Sequence, residues 1–187
     1  RNAQGVLTHY VGIFADISQR KESEERIRYL TQYDTLTGLA NRTLLTDRLE
    51  QAIVYAHRAE RVVAVILLDI DRFKLINDSL GHAAGNALLK QVADRLSSYI
   101  RPGDTVARLG SNEFLLVMSD VAAENDTTSL ARNLLSVVAA PMTVDGQEVV
   151  LTASLGVALF PKDGETAASL LRNCDAAMHR AKELGRH

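Results

Sequence analysis

One run of residues constrains the fold of this chain more than any other. Residues 62–68, VVAVILL, are apolar without interruption, and the run closes on Asp69-Ile70-Asp71. A strand that lacks polar alternation has both faces covered, which places it at the centre of a sheet with helices on either side. The run is far too short to span a bilayer.

The flanking segments supply those helices. Asn41 caps a predicted helix over 42–59, with Leu44, Leu45, Leu49, Ile53 and Val54 on one face. A second helix is expected over 83–100, with Leu88, Leu89, Val92, Leu96 and Ile100 inward. Arg101-Pro102-Gly103-Asp104 is a turn. Strands over 105–109 and 114–118 flank a short turn and make a hairpin. A helix over 128–139 follows. A second hairpin turns at Asp145-Gly146, and its outgoing strand runs over 149–158. The last helix covers 166–184. The order α-β-α-β-β-α-β-β-α predicts an α/β domain of the α+β sandwich type, a central mixed sheet surrounded by helices.

Upstream, residues 5–17 read as a strand rich in β-branched and aromatic residues. Ile27, Leu30 and Tyr33 then form a narrow apolar seam, a helix too short to stand alone. The expected division is the end of an upstream domain over 1–18, a helical linker over 19–33, and the main domain over 34–187.

Bulk composition excludes several classes. Net charge is −2, which argues against a nucleic-acid or membrane surface. A hydrophobic share of 47% and a charged share of 24% are those of a soluble globular chain. Cys174 is the one cysteine, so no internal disulfide forms, which fits a reducing cytoplasm. No signal peptide is visible. The chain begins at Arg1 without a methionine, and is expected to be a piece of a longer protein.

The chemistry gathers where the apolar run ends. Strand ends are where α/β sheets place ligands. Asp69 and Asp71 there suit a hard divalent cation, which takes oxygen ligands and substrate phosphates; they also serve simply to solvate a strand end. The residues that follow favour a ligand. Lys74 offers charge to a phosphate and Asn77 can pair with a base edge. Gly81-His82-Ala83-Ala84-Gly85-Asn86 holds two glycines that let backbone approach a ligand. His9, His57, His82 and His187 have no metal-ligand spacing.

Five blocks, DTLTGLANR (34–42), LLDIDRFKLINDSLGHAAGN (67–86), RLGSNEF (108–114), SLGVALFP (154–161) and DAAMHRAKELGR (175–186), resemble the GGDEF family of diguanylate cyclases. They stand in the family's order and spacing. Residues 5–30 resemble the tail of a PAS sensor domain and its helical linker. The resemblance implies a nucleotidyl-cyclase-like fold and a reaction between two facing domains. Each holds one GTP with Mg²⁺ or Mn²⁺, and each 3′-hydroxyl attacks the other's α-phosphate to give cyclic di-GMP and pyrophosphate. It implies Asp69 and the Ile70 carbonyl as metal ligands, with the residue at 112 as the third. Arg72, Phe73 and Lys74 form the phosphate cradle. Asn77 and the residue at 86 read guanine. Gly110 and the residue at 111 let the turn approach the nucleotide. Glu113 is the fourth residue of the motif, and Lys182 and Arg186 reach the triphosphate. It also implies a homodimer, an upstream PAS sensor, a cytoplasmic setting within a protein that can be membrane-associated, and in many relatives a downstream phosphodiesterase (EAL) domain.

Three positions depart from the family pattern. Asn112 stands where a carboxylate ligates metal and is suspected as base for the attacking hydroxyl; an amide carries no charge and takes no proton. Ser111 replaces the second glycine. Asn86 replaces an aspartate that accepts guanine's two donors, a loss of about 1–3 kcal/mol. Asn also matches adenine's edge, so base choice can relax. His179 occupies a position usually held by tyrosine. Gly-Ser-Asn-Glu is nonetheless a sound hairpin connection, since Gly and Asn tolerate positive φ, so shape can persist where catalysis is lost. Separately, Arg101 and Asp104 form an RxxD pair at the spacing of the family's inhibitory site, where cyclic di-GMP binds; a Pro-Gly turn with solvated charges has the same appearance. The expectation is a cyclic-di-GMP signalling domain with impaired catalysis that binds GTP or cyclic di-GMP. The rivals are an active cyclase and a dimerisation element that binds no nucleotide.

Overall fold

The computed structural model describes residues 18–119, 121 and 124–185. The strand expected over 5–17 and the site residue Arg186 lie outside the described residues. The elements are helices α1 (Ser18–Gln32), α2 (Arg42–Ala59), α3 (Phe73–Tyr99), α4 (Glu124–Ala139) and α5 (Ala167–Glu183), with strands β1 (Val63–Ile70), β2 (Thr105–Arg108), β3 (Glu113–Ser119), β4 (Met142–Val144), β5 (Gln147–Val149) and β6 (Ala153–Phe160).

The apolar run is the centre of the sheet, as its composition requires. The strand order is β2-β3-β1-β6, and all eight residues of β1 are buried. Alternate residues feed two separate cores. Ala64, Ile66, Leu68 and Ile70 face a core completed by α3 and α4 residues such as Leu88, Val92 and Leu134. Val63, Val65 and Leu67 face a core completed by α2 and α5 residues such as Leu45, Leu49 and Leu170. Full burial of each large side chain contributes about 1.5–3 kcal/mol, so this strand and its two helical layers dominate stability.

The sheet is antiparallel throughout rather than mixed. An uninterrupted apolar strand is common in parallel sheets because helices cover both faces, but that covering is what the composition reports, and it does not fix direction. The strand expected over 149–158 is two strands. β5 pairs with β4 across the Asp145-Gly146 turn, where both residues have positive φ; β6 pairs with β1. The break comes where Val150 is exposed and the Thr152 carbonyl turns to accept the Asp71 amide at 2.9 Å.

The helix expected from residue 83 begins ten residues earlier, at Phe73, and is bent at Gly81, whose φ of 85° suits glycine. Phe73 and Ile76 pack into the core, which makes the polar stretch around Asn77 helical. α4 starts at Glu124, upstream of the expected 128. Val54 is exposed instead of joining Leu45 and Leu49. α2 carries the expected Asn41 cap, whose side chain accepts the Leu44 amide at 3.1 Å. α5 opens on a capping box between Thr166 and Ser169. It lies unusually close to β6: a Cβ at Gly156 would collide with the backbone of Cys174 and Met178.

Candidate functional site

Five segments meet at one end of the sheet: the end of β1, the β2–β3 turn, the start of β6, the first turn of α3 and the last turns of α5. Asp69 is paired in register with Glu113 on β3 and Ser154 on β6, so these side chains share the face that α5 covers. Lys182 descends from α5, and its Nζ stands 2.8 Å from Asp69 Oδ2. Both side chains are largely buried.

Asp71 divides from Asp69. Its carboxylate accepts the hydroxyls of Thr152 at 2.9 Å and Ser154 at 2.8 Å. Asp71 is buried, and clamps β6 to the end of β1 instead of offering a second carboxylate to a ligand. Arg72 then adopts the left-handed conformation, φ 52° and ψ 28°, and turns the chain sharply into α3. The first amides of α3 have no partner within the helix, so Phe73 and Lys74 offer donors at the positive end of its dipole. Lys74 is exposed on that turn.

Asn77 and Asn86 lie on opposite sides of the Gly81 bend. The bend brings Asn77 back over the second segment, where its Oδ1 fills the space that a Cβ on Gly85 would take. Gly85 is thus the neighbour that makes room for Asn77, a role the sequence showed only as general glycine freedom. Asn86 is exposed.

The β2–β3 turn is tied on both sides. Arg108 Nη1 bonds Asp34 Oδ1 at 3.0 Å, and its Nη2 donates to the Ser111 carbonyl at 3.0 Å. Burial alone would raise the Asp34 carboxyl; hydrogen bonds from the Thr37 side chain and amide and from Arg108, with the Arg108 charge, outweigh it and hold the pKa below the ordinary 3.8. Sequence reasoning placed Asp34 in a motif without giving it this function. Neither Gly110 nor Asn112 uses a positive φ, so the turn keeps its shape through these bonds.

Asn112 is the decisive residue. Its backbone carbonyl accepts the Ile70 amide at 3.0 Å, and its Nδ2 donates to the Ile70 carbonyl at 2.9 Å. Its Oδ1 accepts the Ser111 hydroxyl at 2.8 Å. The oxygens expected to hold a cation are therefore already engaged: Asp69 by an ammonium, Ile70 by an amide N–H. Mg²⁺ takes oxygen ligands in near-octahedral order, and as arranged this set presents it one paired carboxylate. Among the described residues, no three His, Cys, Asp or Glu side chains converge as a metal site. The residues do not fit a protein-held divalent cation.

At the far end of the sheet, Asp104 accepts the Arg101 amide at 3.1 Å and the Ser119 amide at 3.1 Å. Its carboxylate closes the turn, and Arg101 is exposed beside it.

The model for the diguanylate cyclase GGDEF domain matches residues 31–187. The chain belongs to the GGDEF family. It is 46% identical over 177 residues to an uncharacterized signaling protein of Caulobacter vibrioides, covering 91% of this chain and 21% of that protein. It is 45% identical over 158 residues to the bifunctional diguanylate cyclase/cyclic di-GMP phosphodiesterase MucR of Pseudomonas aeruginosa, covering 84% of this chain and 23% of MucR. The chain thus spans under a quarter of the length of these relatives. Among solved structures, a sensory box/GGDEF family protein from Caulobacter crescentus superposes with TM-score 0.79 at 44% identity, covering 82% of this chain and 99% of that one. The coiled coil and GGDEF domain of Caulobacter crescentus DgcB, in complex with c-di-GMP, gives TM-score 0.80 at 28% identity over 91% of each chain. This GGDEF domain has an α+β fold with a central antiparallel sheet, and its class is cyclic-di-GMP signalling. No helix among the described residues is long and apolar enough to cross a membrane.

Proposed function

We propose that this GGDEF domain is a guanine-nucleotide-binding regulatory module with little or no cyclase turnover. One observation carries the reading: at the third motif position, Asn112 spends its Nδ2 on the Ile70 carbonyl and has no ionisable group to take a proton from an attacking hydroxyl. The binding apparatus is better preserved. The first turn of α3, Lys74 and Lys182 serve the phosphates, and Asn77 over Gly85, with Asn86, reads the base. Arg186 is assigned to the triphosphate by motif position. Arg101 and Asp104 form a second, product-side site for cyclic di-GMP, supported by their exposed turn and by the DgcB complex with that ligand. In the longer protein we place a PAS sensor upstream, residues 19–33 as linker, a homodimer at work in the cytoplasm, and an EAL domain downstream, the last supported by relatives such as MucR that combine both activities.

A second reading, an active diguanylate cyclase, is favoured by the relatives MucR and TpbB, which are named as such. Incubation with GTP and Mg²⁺, followed by assay of pyrophosphate and cyclic di-GMP, separates the two. No turnover is expected, and turnover near that of an active cyclase overturns the proposal. Restoring Ser111→Gly, Asn112→Asp and Asn86→Asp together is expected to bring turnover back.

A further inference from the structure

The Ile70 carbonyl and the tip of side chain 112 face each other at 2.9 Å. Neighbouring oxygens around Mg²⁺, each about 2.0–2.1 Å from the metal, lie about 2.8–3.0 Å apart. Position 112 therefore keeps the spacing of a ligand pair, while the atom it presents is an N–H donor with no lone pair to give. The Ile70 carbonyl, an acceptor only, fixes the orientation, and the Ser111 hydroxyl follows it as donor. Turning the amide over would set Oδ1 against the Ile70 carbonyl, acceptor against acceptor, and would break the bond from the Ser111 hydroxyl to Oδ1. Asp69 is held likewise by Lys182, from a helix seated on β6 at Gly156. Asp69 and Lys182 cancel in charge and Asn112 is neutral, so the three side chains at the expected cation position carry no net charge between them. An aspartate at 112 would place two carboxylates and a carbonyl together and would demand a cation.

We propose that the domain takes its guanine nucleotide without a divalent cation held by the protein: Asn112 Nδ2 and Lys182 Nζ stand in for that cation at Ile70 and Asp69. The inference rests on the nucleotide-binding reading above. Any cation that accompanies the nucleotide stays on its phosphates, and the triphosphate is met by Lys74 and the first-turn amides of α3.

The test is calorimetry of GTP with the whole chain in EDTA and in Mg²⁺, alongside the Mn²⁺ electron paramagnetic resonance signal titrated with protein alone, for the parent and for Asn112→Asp. The parent Kd is expected to differ by less than about threefold between EDTA and Mg²⁺, and the parent to leave the Mn²⁺ signal unchanged. Asn112→Asp is expected to bind GTP about tenfold or more tighter in Mg²⁺ than in EDTA, and to deplete free Mn²⁺. Circular dichroism of the variant confirms folding, and Asn112→Glu serves if it fails. A parent that depends on Mg²⁺ about tenfold, or depletes Mn²⁺, overturns the proposal, as does a folded carboxylate variant that behaves like the parent. Silence toward GTP in both buffers sinks the nucleotide reading, and the Mn²⁺ comparison then decides whether Asn112 and Lys182 stand in for a cation. Uptake by the variant alone supports that role; uptake by the parent or by neither overturns it.

Discussion

Gly85 matters for what it lacks. The Asn77 carboxamide occupies the place of its missing Cβ, and that carboxamide is the flexible end of a side chain. Gly85→Ala is therefore expected to push Asn77 aside while leaving the fold intact. Calorimetry should show GTP affinity falling about tenfold, with a thermal midpoint little changed, because alanine's preference for helix offsets the small shift asked of the Phe73 ring, 3.2 Å from the added Cβ. Cys174 is a contrasting residue, fully buried and engaged with the Leu67 amide at 3.1 Å. Burial pushes its thiol from 9.0 up to about 12, with Asp175 adding to the rise. Because the folded value is the higher one, the thiol's contribution is complete below pH 9 and is lost as pH rises toward 12. The gap in urea midpoint between the parent and Cys174→Ala should thus be narrower at pH 10 than at pH 7. At this scale the sequence marked Asp69, Lys74, Asn77 and Lys182 as candidates through motif order. It could not show which aspartate of the pair is tied to β6, because Asp71's hydroxyl partners lie about eighty residues away. Nor could it show where the Asn112 amide points, since that is set by the carbonyl of a neighbouring strand.

The α5–β6 contact is the element on which the site depends most. Lys182 reaches Asp69 because α5 lies close against the strand, and Gly156 permits that approach. A methyl group there meets backbone atoms, which cannot swing away as a side-chain tip can. Gly156→Ala should cost about 1–3 kcal/mol in denaturant unfolding, and loosen GTP binding through the displaced Lys182. Periodicity made α2, α5 and the apolar strand legible, since each buries a continuous face. It failed at α3, where a polar first half and a glycine bend disguise a helix that packs through Phe73 and Ile76. It also merged β5 with β6, because β propensity continues through Val150 and Leu151 while the hydrogen bonding changes partner.

At the scale of the molecule, β1 organises everything, paired on both edges and covered on both faces. Its amides are expected to exchange last in native-state hydrogen exchange, at the rate of global unfolding, while α1, with Ile27, Tyr29 and Leu30 exposed, exchanges early. Fast exchange across residues 63–70 under native conditions would refute that ordering. α1 is nevertheless firmly joined at its end. Asn41 donates its backbone amide to the Gln32 carbonyl at 2.8 Å and its Nδ2 to the Thr31 carbonyl at 2.9 Å, while its Oδ1 caps α2. The adjacent Ala40 carbonyl accepts the Arg108 amide, and Arg108 grips the Ser111 carbonyl. The helix therefore ends in a clamp with no swivel. A twist applied along α1 is therefore expected to arrive at the β2–β3 turn through Asn41, Ala40 and Arg108, the last residue of β2, like torque through a short shaft.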